Sequence, residues 1–305
     1  MYLGLRQKPK PSYQPTKVSH YGDRVILNRT QGNNLIKEII ESQKPSMICR
    51  FGAVELSAVV NYLQIKDKKV NYWYKDVLYS LENNAGFFPA NKHTSQKFAE
   101  IYLECIKDID LLGAWYNEGE DWITEKFCPN AHLAELESIE PYYHQIPWSV
   151  ALEGKNVLVI HPFSDSIQKQ FTENRENLFE DKNILPKFNL KVIKAVQSIA
   201  DNKKEVKFKD WFEALEYMQN EITKVDFDVA IIGAGAYGLP LAHFIKKLGK
   251  QAIHLGGATQ ILFGVFGNRW KRIPIINEFQ NEYWIRPAQH EIPKGAEKVE
   301  GSCYW

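Results

Sequence analysis

Three glycines, Gly233, Gly235 and Gly238, stand in G-x-G-x-x-G spacing directly after the apolar run Val229-Ala-Ile-Ile232. A turn of that kind, opening a helix, lets backbone N–H groups and a helix N-terminus face an anion, usually a phosphate. Tyr237 lies inside the turn and offers a ring on which a base or sugar could stack. A second glycine pair, Gly256 and Gly257, follows His254 at the close of the next apolar run, and Thr259 and Gln260 beside it offer polar contacts to a nucleotide or sugar. Arg50 and Gly52 close an earlier run, where a guanidinium can grip a diphosphate in bidentate fashion. Glu55 follows three residues later and is a candidate catalytic carboxylate. His161 ends a further run, ahead of Pro162 and Asp165. An imidazole there can bind phosphate or accept a proton, and Asp165 can serve as base or metal ligand. These residues point to a phosphate-bearing ligand, a nucleotide.

Each residue also has a plainer role. The glycines could serve only a tight turn and close helix–strand packing, and Arg50 a strand-end ion pair. Glu55 sits where a helix N-terminus favours a carboxylate, and Ser164 and Asp165 could cap a helix beginning near Ser166. Thr259 could face solvent from a helix starting at Ala258. Glu118, Glu120 and Asp121 read as a solvated acidic loop, with acceptor contact the rival reading. Phe263 and Phe266 read as core, while Arg269 and Trp270 could bind phosphate and sugar.

A dinucleotide reading meets two obstacles. The ribose-binding acid belongs at the end of the second strand, about 20 residues past the glycines, but Gln251–Leu255 ends in His254 and the glycine pair. The tail beyond is too polar and Pro-rich to complete such a domain. An NAD(P)-type oxidoreductase therefore stands as the rival enzyme class. There is no G-x-S-x-G elbow, no GxxxxGK[ST] loop, no HExxH and no local cysteine–histidine signature.

Positioning these groups requires strands that alternate with helices. Strand signals fall at Pro45–Gly52, Asp110–Trp115, Gly154–His161, Leu190–Ser198, Val229–Ile232 and Gln251–Leu255. Helical spacing marks Asn33–Ser42, Glu55–Gln64, Thr94–Ile106, Leu133–Ile139, Gln168–Phe179, a helix headed by Asp210 and Glu213, and one from about Tyr237 that buries Leu241, Phe244, Ile245 and Leu248 and ends at Gly249. The expected fold is α/β: a Rossmann-like, mostly parallel sheet with helices on both faces. Its parts are a basic, Pro-rich arm over 1–20, an N-terminal half over 21–150 and a C-terminal half over 151–305, the two halves allowed to be continuous. In such sheets ligands bind beyond the carboxyl ends of the strands.

The 305 residues carry a formal net charge of +1, which gives no global drive toward nucleic acid. The four cysteines form no CxxC pair, and with Cys49 and Cys105 in apolar surroundings they fit a reducing cytoplasm. No apolar stretch is long enough to span a membrane, and the arm lacks an apolar signal core. Eight Trp and fifteen Tyr give an aromatic-rich chain, which suits sugar binding as well as core filling.

Taken together, SMICRFGAVEL, VLVIHPFSDSI, FDVAIIGAGAYGLPLA, IHLGGATQILFGVFGNRW and GSCYW resemble a bacterial family of GT-D-fold glycosyltransferases and related capsule or surface-polysaccharide proteins. The likeness runs from about Met47 to the C-terminus. It implies transfer of a sugar from a nucleotide-sugar donor, often UDP-linked, to a lipid-linked or protein-linked glycan in the cytoplasm, at the inner membrane face. It also implies a divalent metal, Mn²⁺ or Mg²⁺, held by an Arg-Phe/Tyr-Gly-Asp-x-Glu segment. Arg50, Phe51, Gly52 and Glu55 match that segment, but Ala53 stands where its first acid belongs, and alanine offers a hard cation no oxygen. Asp165 or Asp121 would have to complete the metal site with Glu55, or catalysis proceeds without metal, or the protein is a non-catalytic scaffold.

Overall fold

The computed structural model describes residues 16–305, so the arm expected over 1–20 falls outside the described residues except for its last five. Nine strands form one sheet: β1 (His20–Tyr21), β2 (Arg24–Leu27), β3 (Ser46–Cys49), β4 (Leu111–Ala114), β5 (His132–Glu135), β6 (Asn156–His161), β7 (Asn189–Lys194), β8 (Val229–Ile232) and β9 (Gln251–His254). Their order across the sheet is β1-β2-β5-β4-β3-β9-β8-β6-β7. Every neighbouring pair is parallel except β1 with β2. β3 pairs β9 with Met47 opposite Ala252, and β9 pairs β8 with Ala252 opposite Ala230. β9 thus joins strands from the two halves of the chain.

The helices are α1 (Arg29–Glu41), α2 (Ala53–Lys66), α3 (Lys75–Asn83), α4 (Lys92–Ile106), α5 (Glu120–Phe127), α6 (Ser164–Lys169), α7 (Arg175–Leu178), α8 (Trp211–Thr223), α9 (Gly238–Lys247), α10 (Ala258–Leu262) and α11 (Pro274–Phe279). Strand residues alternate between two cores, as the period of two requires. Met47, Cys49, Leu158, Ile160, Ala230 and Ile232 pack with α2, α4, α8 and α9. Ile48, Val157, Val159, Val229, Ile231 and Ile253 pack on the other face with α1, α6, α10 and α11. Both faces are therefore covered, which is why the central strands read as largely apolar rather than alternating. Side-chain caps set the helix starts: Asn28 and Asn91 each form a reciprocal capping box, and Asp210 accepts the Glu213 N–H at 2.9 Å.

Several expectations are corrected. Leu133 belongs to strand β5, and only residues 136–139 turn helically, as a 3₁₀ segment. Parallel pairing with both β2 and β4 overrides the local pattern there. The helix expected from Gln168 begins at Ser164 and widens into a π turn over 170–174. Leu248, expected in the core, is exposed at the end of α9. All four cysteines are buried and unpaired with one another. Among the described residues, no helix is long and apolar enough to cross a membrane.

Candidate functional site

Two cavities open at the carboxyl edge of the sheet. The first, about 90 Å³, lies beyond β6, β7 and β8 and is lined by Ala85, His161, Ser198, Gly233, Gly235, Tyr237, Gly257, Gln260, Tyr304 and Trp305, among others. The second, about 370 Å³, lies beyond β3, β4, β5 and β9, with Lys17, Arg50, Trp115, Glu137, Glu140, Tyr143, Gly257, Arg269 and Trp270 in its wall. Gly257 belongs to both, and a Cβ there would lie 2.7 Å from the Tyr304 ring.

The glycine turn already receives one contact from the protein itself. The Ala85 carbonyl accepts the Ala236 N–H at 3.0 Å and would lie 2.8 Å from a Cβ on Gly235, whose φ is +51°. It takes one amide of the turn expected to face a phosphate, while Gly233 and Gly235 line the smaller cavity. Gly233 faces the Gly256 carbonyl, His161 and Thr259, and a Cβ on Gly238 would collide with the His254 imidazole. The spacing here answers close packing of helix on strand. Tyr237 is buried, stacked on Trp211 at 5.2 Å, with its hydroxyl 2.8 Å from Ser198 Oγ, so its ring face toward Trp211 is taken.

His161 and His254 are both buried, and burial pushes each imidazole down to about 3. Both are neutral at physiological pH. His161 Nδ1 accepts the Phe163 N–H at 3.0 Å, which leaves the ring proton on Nε2. Thr259 and Gln260 are fully buried rather than facing solvent. The Gln260 amide nitrogen donates to the Val265 and Tyr304 carbonyls at 3.0 and 3.1 Å, fixing the amide orientation.

Arg50 leaves β3 and lies over the Trp115 ring at 4.5 Å. Gly256, with φ +66°, lets the guanidinium lie against its backbone, since a Cβ there would stand 2.5 Å from a terminal nitrogen. The guanidinium donates to the Phe51 carbonyl at 3.3 Å and meets no carboxylate within ion-pair distance among the described residues. Arg269 stacks on Tyr304 at 4.6 Å and pairs with Glu300.

Trp115 is held by a group that the sequence reading placed in solvent. Glu120 is fully buried and accepts hydrogen bonds from the Trp115 N–H (2.8 Å), Asn117 N–H (3.2 Å), Asn117 Nδ2 (2.9 Å) and Tyr21 hydroxyl (3.0 Å). Burial raises its carboxyl above the ordinary value, and these donors partly offset the rise. Tyr116, between Trp115 and Asn117, takes φ +58°, a left-handed conformation that an ordinary residue adopts only when its surroundings impose it. Exposure cannot be read from a run of acids, so Glu120 had no signal beyond its place just past a strand end. Glu140, in the wall of the larger cavity, carried none at all.

Glu55 opens α2 and folds back over Gly52, which has no room for a Cβ beside its carboxylate. It is buried, which raises its carboxyl, while its own backbone N–H and Arg50 act in the opposite sense. Its carboxylate thus lies at the first turn of α2, and Glu55 lines neither cavity. Asp121 is exposed on α5 and Asp165 is exposed on α6. No group of three metal-ligating side chains among the described residues includes Glu55, so the chain does not fit the metal site that the resemblance implies there. Asp165, His290 and Glu291 do bring ligand atoms within 4.8 Å of one another and could hold a cation. Glu291, however, already accepts the N–H groups of Asp165 (2.9 Å), Ser166 (3.3 Å) and Ala288 (3.2 Å), together with the Ser166 hydroxyl. Asp165 accepts from His290 at 2.7 Å, which lowers its carboxyl.

The chain matches no family model and no curated protein. Two solved structures are similar to it, both of the domain of unknown function 1792. One is a selenomethionine form, at 11% identity and a TM-score of 0.48; the alignment covers 88% of this chain and 93% of that one. The other is described as having a distinct glycosyltransferase fold, at 13% identity and a TM-score of 0.47 over the same shares.

Proposed function

We propose that the protein is a glycosyltransferase that moves a sugar from a nucleotide-sugar donor, a UDP-sugar by the resemblance of its strand-end motifs, to a lipid-linked or protein-linked glycan in bacterial surface-polysaccharide assembly. Such an acceptor would bring it to the inner face of the membrane, in the cytoplasm. One observation carries the reading. Arg50 stands in the larger strand-end cavity without a carboxylate partner among the described residues, stacked on Trp115 and joined there by Arg269, Trp270 and Tyr143. Guanidinium groups match the diphosphate that must leave, and aromatic faces match the apolar C–H faces of a sugar.

The test compares thermal unfolding with UDP and with NAD. A ligand at about 100 times its Kd adds roughly 2.7 kcal/mol, and stabilisation by UDP that is lost in Arg50→Ala is expected. Stabilisation by NAD alone would reject the proposal. A second reading, a non-catalytic nucleotide-sugar-binding protein, draws on Ala53 and on the inward fold of Glu55. UDP binding without turnover of any donor sugar, with or without Mn²⁺, would favour it.

A further inference from the structure

One carboxyl group in the larger cavity is placed to handle a proton and has been given no task. Glu140 follows the 3₁₀ turn of residues 136–139. Its Oε2 accepts the Tyr142 hydroxyl at 2.6 Å, and Oε1 has no hydrogen-bond partner among the described residues. Most of the side chain is covered, yet part of it opens into the cavity wall, alongside Arg50 from the end of β3. Glu137 is less suited, because its side chain is 39% exposed and lies 3.9 Å from Lys17.

Resting on the transferase reading, we propose that Glu140 is the general base of the transfer. As the acceptor oxygen attacks the anomeric carbon, its O–H bond breaks and the proton passes to Oε1. The new carbon–oxygen bond forms while the bond from that carbon to the diphosphate oxygen breaks. The electron pair leaves with the nucleoside diphosphate, whose charge Arg50 meets. Glu140 then returns its proton to solvent through the cavity mouth.

The surroundings suit this role. Burial lifts the Glu140 carboxyl to about 7, with Glu137 adding to the rise and the Tyr142 hydrogen bond and Arg50 opposing it. Lys17 and Arg269 face the same cavity from the N-terminal segment and from the turn after α10, and Tyr143 stands beside Glu140. A carboxylate that binds a proton near neutrality is matched to base catalysis at that pH.

The experiment measures UDP release from UDP-glucose, UDP-galactose and UDP-N-acetylglucosamine across pH 5–9, with water and simple methyl glycosides as acceptors. Wild type should gain rate as pH rises through about 7. Glu140→Gln should lose about 10²- to 10⁴-fold in rate while keeping its UDP affinity. Tyr142→Phe keeps the carboxyl but removes a bond that favours its ionised form, so its rate profile should move to higher pH. Infrared difference spectra between wild type and Glu140→Gln should show a carboxyl band that titrates near neutrality. Turnover that survives Glu140→Gln with an unchanged pH profile would overturn the role of Glu140 alone, as would a band that titrates near pH 4. A wild type that binds UDP yet releases none from any donor would overturn the transferase reading and this role with it.

Discussion

The two cavities at the carboxyl edge of the sheet touch at Gly257 and are made of opposite materials. The smaller is walled by backbone, small residues and neutral side chains, and the Ala85 carbonyl takes one amide of its glycine turn. The larger is walled by Lys17, Arg50, Arg269, Glu137 and Glu140 among aromatic faces. A glycine motif guarantees only that two pieces of backbone approach closely, and here the second piece is the protein's own. Arg50, which has no carboxylate partner among the described residues, lies instead on the other side of β9, in the wall of the larger cavity.

The largest expected effect tests what holds the charged cavity open. Glu120→Ala leaves the Trp115 and Asn117 N–H groups and the Tyr21 hydroxyl without their buried acceptor. At about 1–3 kcal/mol for each orphaned group, chemical denaturation should show a loss of several kcal/mol, with UDP affinity falling in whatever remains folded. If stability stays within 1 kcal/mol of wild type, Glu120 does not hold the Trp115 loop.

Next comes a pH effect on folding. Glu140 has a folded value of about 7 and an ordinary value near 4.5, so the folded state holds its proton more tightly than the unfolded chain. Its ionisation therefore costs stability progressively as pH rises between those values. Glu140→Gln removes that cost, so the variant should exceed wild type by up to about 3 kcal/mol at pH 8 and match it at pH 4. Urea titrations at the two pH values measure the difference, and identical pH slopes would place Glu140 in an ordinary solvated setting.

The glycine turn gives the third contrast. A Cβ on Gly238 meets the His254 ring, and overpacking of this kind costs about 1–3 kcal/mol. Gly238→Ala should lower the melting temperature and leave UDP affinity unchanged per folded molecule. A well-folded variant with abolished UDP binding would return the phosphate to the turn. The smallest effect is on affinity alone: Arg50→Ala should weaken UDP binding by about 10- to 100-fold, the worth of one charge-assisted contact, with little change in fold. Calorimetric titration measures it.

The sheet was legible because β3, β4, β6, β8 and β9 are buried on both faces and are flanked by turn signals. β5 was misread because only Leu133 and Ala134 of its four residues are buried, and Leu136 and Ile139 follow Leu133 at a spacing that mimics a helix. β1, β2 and α3 had been passed over, being short or mixed in pattern. In the wall of the larger cavity, Arg50 was visible as a strand-end residue, and Arg269 and Trp270, in the 3₁₀ turn after α10, by their side-chain chemistry alone. Glu120 and Glu140 were not, since a carboxylate's meaning depends on whether distant chain covers it. Here that cover includes Tyr21 and Arg50, 99 and 90 positions away along the chain.

The placement of β9 has a consequence for assembly. Among the described residues this strand is the only link between β3 and β8, yet it spans Gln251–His254, about 200 positions after β3. Without β9 the sheet would be two half-sheets, β1-β2-β5-β4-β3 and β8-β6-β7, with β3 and β8 as bare parallel edges. Such edges template pairing with other chains, and closing contacts so far apart in sequence slows folding. The strand that seats the Arg50 and Gly257 loops side by side is thus also the keystone that ends the chain's exposure to aggregation.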